Sequence, residues 1–245
     1  MKQTITLLLV LLMSSGLEAQ STFEKSYQLN KEDKLTLDFE YPELVKINTW
    51  EKQEVLVKAR VFINGKENTE DFTIEDKRGS KGLIISSHLK DIDKHNGNYI
   101  MVSDDDDDEE SITVNRDGKS ITIGKGNGNY TYGTKIDIEL EITLPKSAVV
   151  QVNAKYGMVE VQSLPKEIEV LAKFGGADIK VIERNIKDLN VSTSWGQIFA
   201  NLDSKLSVKG NDMMGKQMIA ELKENGGSES LRVESEFGNI FLRKN

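Results

Sequence analysis

The chain predicts an all-β fold of stacked two-strand repeats, a β-solenoid preceded by an N-terminal β region, and three observations carry that expectation. An aromatic followed by glycine recurs as Tyr156-Gly157, Phe174-Gly175, Trp195-Gly196 and Phe237-Gly238. Each pair follows the same apolar alternation at period two, which marks strand. Only 3 prolines occur in 245 residues, and no long stretch has helical periodicity. Units of roughly 20 residues are too small to hide their own apolar face and must stack on their neighbours.

Residues 1–19 read as a signal peptide, with Lys2, an apolar run from Ile5 to Met13 and small residues up to Ala19. Cleavage is expected before Gln20. The apolar run is too short to span a bilayer, so no transmembrane anchor is expected in the mature chain. There is no cysteine, which removes a disulfide framework and a lipid anchor on an N-terminal cysteine. Export without disulfides fits the periplasm or cell surface of a bacterium. Taking Lys2 and Glu18 from the 32 basic and 40 acidic residues leaves 31 and 39, and seven of those acids form one run. The remainder is balanced to within one charge and has no basic stripe, so nucleic acid is not an expected partner.

Residues 20–143 form the N-terminal region. Leu35, Leu37 and Phe39 alternate, followed by Val45 and Ile47 and then by Val55, Val57, Ala59 and Val61, in a partial match to a repeat unit. Strands follow at Phe72–Ile74 and Leu83–Ser86, and a hairpin is expected to pair Ile112 and Val114 with Ile121 and Ile123. Residues 91–134 are dense in Asp, Asn and Gly and read as a protruding excursion. Ile136 to Leu144 then alternate as a long strand that enters the repeats of residues 144–245 and is continuous with them.

Within the repeats, the inward columns are Val150/Val152, Ile168/Val170, Leu189/Val191, Leu206/Val208 and Leu231/Val233. A column of small residues follows, Ala154, Ala172, Thr193, Gly210 and Ser235. Continuing the same parity places the four aromatics in the core. After the glycine the apolar parity switches, to Val159/Val161, Ala177/Ile179, Ile198/Ala200 and Ile240/Leu242, so the glycine marks a corner. The unit beginning at Leu206 departs from the pattern, with Asp212 in the aromatic position and Gly215 late.

Candidate sites are few. The acids Asp104, Asp105, Asp106, Asp107, Asp108, Glu109 and Glu110 offer oxygens that Ca²⁺ accepts, but ordered calcium loops space their ligands around a turning glycine, and contiguous acids favour a hydrated loop. His88 and His95 read as exposed imidazoles. Trp50, Tyr130 and Tyr132 are better outward-facing aromatics than the repeat rings, and columns such as Asn153/Lys155 and Ser192/Ser194 are expected to face solvent. No catalytic motif occurs, and no catalytic residue or cofactor is expected.

Ile47-Asn48-Thr49-Trp50 with Glu54-Val55-Leu56-Val57, the strand ending Leu144-Pro145, and the Lys-Tyr-Gly, Lys-Phe-Gly and Ser-Trp-Gly repeats together resemble a family of exported Bacteroidetes adhesins of unknown function. The resemblance covers nearly the whole mature chain and implies a right-handed β-helix-like fold in an envelope protein. The expected function is a non-enzymatic binding surface for an envelope or surface protein or glycan. A carbohydrate-active enzyme or a structural periplasmic scaffold are the alternatives.

Overall fold

The computed structural model describes residues 23–80, 82–95, 99–103, 112–116, 119–123, 129–209, 218–222 and 226–245. The segment expected to be a signal peptide, the acidic run and the Asp212 departure lie outside them. Before the repeats come β1 (Phe23–Gln28), β2 (Lys34–Phe39), β3 (Leu44–Trp50), β4 (Glu54–Ile63), β5 (Lys66–Glu67), β6 (Phe72–Gly79) and β7 (Gly82–Leu89). The excursion contributes β8 (Tyr99–Ser103), β9 (Ile112–Arg116), β10 (Lys119–Ile123) and β11 (Asn129–Gly133), and β12 (Ile136–Pro145) leads out of it. The repeats supply β13 (Val149–Ala154), β14 (Met158–Val161), β15 (Glu167–Ala172), β16 (Ala177–Val181), β17 (Ile186–Thr193) and β18 (Ile198–Asn201). The chain ends with β19 (Ser207–Lys209), β20 (Met218–Leu222), β21 (Glu229–Ser235) and β22 (Ile240–Lys244).

These strands form two large open sheets and two small two-stranded sheets. One sheet runs β19-β20-β17-β21-β15-β13-β2-β7-β6, and the other runs β1-β4-β12-β3-β14-β16-β22-β18 with β5 beside β4. Each aromatic-glycine unit gives its first strand to the first sheet and its second strand to the other. The pairs β2/β3, β13/β14, β15/β16, β21/β22 and β17/β18 lie in matching order, and within each sheet these strands run parallel to one another. The β9–β10 hairpin pairs Ile112 with Ile123 and Val114 with Ile121, in the expected register. Among the described residues no helix is long and apolar enough to cross a membrane.

The inward columns coincide with the register. Leu35, Val150, Ile168, Leu231 and Leu189 stand in line across five strands, as do Leu37, Val152, Val170, Val233 and Val191. All ten are buried, and the switched-parity residues Val159, Val161, Ala177, Ile179, Ile240 and Leu242 close the same core from the other sheet. Burying each Val, Leu or Ile side chain contributes about 1.5–3 kcal/mol, so these columns are a large share of the apolar free energy.

One expectation is corrected here. The segment at Leu206/Val208 is not a rung: β19 pairs antiparallel with β20, and Val208 is exposed because β19 ends the first sheet. The last strand, β22, lies between β16 and β18. The stack also departs from chain order, with the last unit, β21/β22, inserted between β15/β16 and β17/β18.

Candidate functional site

The corner between the two sheets carries the aromatic-glycine motif, and the rings there face outward. Tyr156, Phe174, Phe237 and Trp195 are 39, 46, 47 and 62 % exposed, against the expectation of a core stack. The reason is local. β13, β15, β17 and β21 end at Ala154, Ala172, Thr193 and Ser235, two residues before each aromatic, so strand parity does not carry through the bend that follows.

The small column is the last inward position before the turn, and at two rungs it knits the corner together. Ser235 Oγ accepts from Gly238 N–H at 2.8 Å and donates to the Gly175 carbonyl at 2.9 Å. Thr193 Oγ1 accepts from Gly196 N–H at 3.0 Å and donates to the Gly238 carbonyl at 2.9 Å. Each hydroxyl holds its own turn and ties it to the rung beneath. The glycines are needed for the same closeness. A Cβ on Gly175 would lie 1.6 Å from the Gly157 carbonyl oxygen, one on Gly238 2.0 Å from that of Gly175, and one on Gly196 2.0 Å from that of Gly238. Only Gly157 also has a positive φ, +75°.

Rung stacking places the rings face to face. Tyr41 and Tyr156 lie 5.8 Å apart at 6°, Tyr156 and Phe174 5.2 Å at 17°, and Phe174 and Phe237 5.3 Å at 7°. Such stacked pairs contribute about 0.5–1.5 kcal/mol each beyond area burial. Tyr41 is the ring that sequence reading missed. Its unit has the same spacing, Leu35, Leu37, Phe39, Tyr41, but Pro42 stands where the others have glycine and hides the motif.

Charges run beside the rings. Lys155 Nζ lies 2.8 Å from Glu40 Oε1 and within 5.9 Å of the Tyr41 centroid and 5.6 Å of the Tyr156 centroid. Lys173 lies 5.2 Å from the Phe174 centroid and 3.7 Å from Glu236 Oε2. The hydrogen bond from Lys155 holds the Glu40 carboxyl below the ordinary glutamate value and raises the ammonium correspondingly. These pairs are exposed, so they orient side chains more than they stabilise the fold. Next to the rings the outer face of the first sheet is hollowed by two depressions of about 490 and 370 Å³ that meet at Leu171 and Lys173. Asp38, Asn153 and Lys155 line one, and Ser194, Glu234 and Glu236 the other. Ser192, expected to face solvent, is buried in the strand row between Glu234 and Ile219. A third hollow of about 300 Å³ on the outer face of the second sheet is lined by charges already paired, Lys58 with Glu24 and Arg60 with Glu139.

Of the remaining sequence candidates, His88 lies beside this corner, lining a hollow with Glu40 and Tyr41. His88 is exposed on β7 as expected, but His95 is half-buried with Nε2 2.9 Å from Asp71 Oδ2. That carboxylate accepts from Asn68 Nδ2 at 2.8 Å and is held below its ordinary pKa first by this bond and then by His95. Trp50 does not face outward freely either: its Nε1 donates to the Glu54 carbonyl at 2.8 Å across the β3–β4 turn, and Lys52 Nζ lies 4.5 Å from its ring centroid. The side chains of Tyr130 and Tyr132 and the acids 104–110 lie outside the described residues. Among the described residues no three His, Asp or Glu side chains gather as a metal site.

No family model matches the chain, and no curated protein matches it. Among solved structures, the crystal structure of a "putative cell adhesion protein" from Clostridium sporogenes is similar at 12 % identity and a TM-score of 0.46, covering 91 % of this chain and 99 % of that one.

Proposed function

We propose that this chain is an exported, non-enzymatic, adhesin-like protein whose stacked units form a β-solenoid, right-handed by the family resemblance, and present one corner to an envelope or surface partner. The observation that carries this reading is the column of solvent-exposed rings along that corner. Monomeric proteins seldom leave aligned apolar rings uncovered without a use for them. The geometry favours a protein partner over a sugar. Tyr41, Tyr156, Phe174 and Phe237, stacked on one another, show solvent their rims, whereas a sugar stacks on an open ring face. Protein side chains fit between such rims and the adjoining Lys155–Glu40 and Lys173–Glu236 pairs.

The test is binding of the labelled chain, from Gln20 onward, to bacterial envelope fractions and to a glycan array, with a Phe174→Ser, Phe237→Ser double variant beside it. Saturable binding to protease-sensitive envelope material, weakened about tenfold or more by the double variant at unchanged circular dichroism, is expected. Binding that is protease-resistant and confined to glycans replaces the protein partner with a sugar. Turnover of any polymer overturns the non-enzymatic reading.

A further inference from the structure

Four strands end the two large sheets, and three of them carry charge: β1 with Glu24 and Lys25, β6 with Glu75 to Arg78, and β19 with Lys209. The fourth, β18, reads Ile198-Phe199-Ala200-Asn201 and has none. Edge strands are normally blunted by charge, proline or bulges, because their free amides template further pairing. β18 has none of these devices. It pairs with β22 on one side and, among the described residues, with no strand on the other.

The direction of its free groups follows from one hydrogen bond. Ile240 N–H donates to the Gln197 carbonyl at 2.9 Å, so along the parallel ladder Gln197, Phe199 and Asn201 turn their main-chain groups to β22. The N–H and C=O groups of Ile198 and Ala200 therefore point outward. Phe199, 45 % exposed, stacks on Phe241 at 5.1 Å and 11°.

We propose that this edge is a homodimer interface, in which β18 of two copies pairs antiparallel about a two-fold axis through Phe199. In that register Ile198 of each copy exchanges both hydrogen bonds with Ala200 of the other, which uses every outward main-chain group of the strand. Phe199 meets its own copy as the non-hydrogen-bonded pair, with Cα atoms about 4.5 Å apart and side chains closest. The Phe241–Phe199 stack then continues through the axis as four rings. Counting away from the axis, Asn201 faces Gln197 and Leu202 faces Gly196, so no like charges meet. The pairing uses one patch on both copies and closes on itself, which stops growth at two. A strand of four residues sets a small interface and a dissociation constant on the order of micromolar.

Sedimentation equilibrium of the chain from Gln20 onward tests this, with a dimer expected at about 100 µM that dissociates over about a hundredfold dilution. Ala200→Pro removes one outward N–H and no bond of the monomer, a replacement that edge strands tolerate, and is expected to leave a folded monomer. Because the chain has no cysteine, Phe199→Cys places a single thiol on the axis and is expected to form a disulfide-linked dimer on mild oxidation. Ser26→Cys on β1 is expected to crosslink far more slowly. A wild-type chain that stays monomeric at about 100 µM overturns the proposal. So does a dimer that survives Ala200→Pro, or equal crosslinking at positions 26 and 199.

Discussion

Two units written in the same pattern meet different fates. The one from Ile168 to Val181 is buried through both of its strands, with Val170, Ala177 and Ile179 at 0 % exposure. The one from Leu189 to Asn201 is buried only in its first strand, where β21 and β20 flank it, while Ile198 is half-buried and Ala200 exposed in the second. The motif is the same. What differs is how many neighbours each strand has, so burial here is a property of position in the stack and not of the repeat itself.

The glycine column breaks that comparison most sharply. Gly175→Ala sets a methyl against the backbone of an interior rung that neighbours hold on both sides, and overpacking there is expected to remove about 3 kcal/mol or more. Gly196→Ala meets a similar contact, but its rung can yield outward past a free edge, and a loss of about 1 kcal/mol is expected. Urea unfolding of both variants measures the difference, and equal losses would show that the terminal rung is as constrained as the interior. Next in size, Ile179→Ala opens a cavity in the closed core and is expected to lower stability by about 2–5 kcal/mol. Ile198→Ala removes a side chain that is already partly wet, and a loss under about 1 kcal/mol is expected in the same assay.

The alternating columns were legible because period two is a direct image of the pleat: Val150/Val152 and their counterparts stand in register as the spacing implied. The glycine corner was legible too, because the apolar parity flips there. The rings were not. Their orientation depends on where the strand stops, and Ala154 and Ala172 look the same whether they continue a strand or end one. Tyr41 was concealed by Pro42, and stacking order was invisible since every unit carries the same pairing surface and nothing local says which lies next to which.

The smallest expected effect concerns the inserted strand. Glu229, at the start of β21, is buried, and burial lifts its carboxyl above the ordinary 4.5 although Asn185 Nδ2 donates to it at 3.2 Å. A raised folded-state value means the folded chain holds this proton more tightly than the unfolded chain, so its contribution to stability falls as pH rises through that value. Glu229→Gln keeps the acceptor and removes the charge. A small rise in thermal midpoint is expected at pH 7 and none below the ordinary glutamate value, and a variant that is less stable at pH 7 would assign Glu229 a favourable charge interaction instead.

The displaced order of the last unit bears on how the chain reaches its final form. β18 has β22 as its strand neighbour and β17 lies against β21, so both wait for residues 229–244 before their parallel partners exist. Emerging from its N-terminus, the polypeptide has rungs to build as far as β16 and must then hold the next unit open until the end arrives and slips between. Long-range pairing of this kind is slow. Pairing of β17 and β18 with their parallel partners therefore waits on residues 229–244, and a chain clipped before Glu229 loses an inner layer of the stack, leaving the unit made before it without its parallel partner.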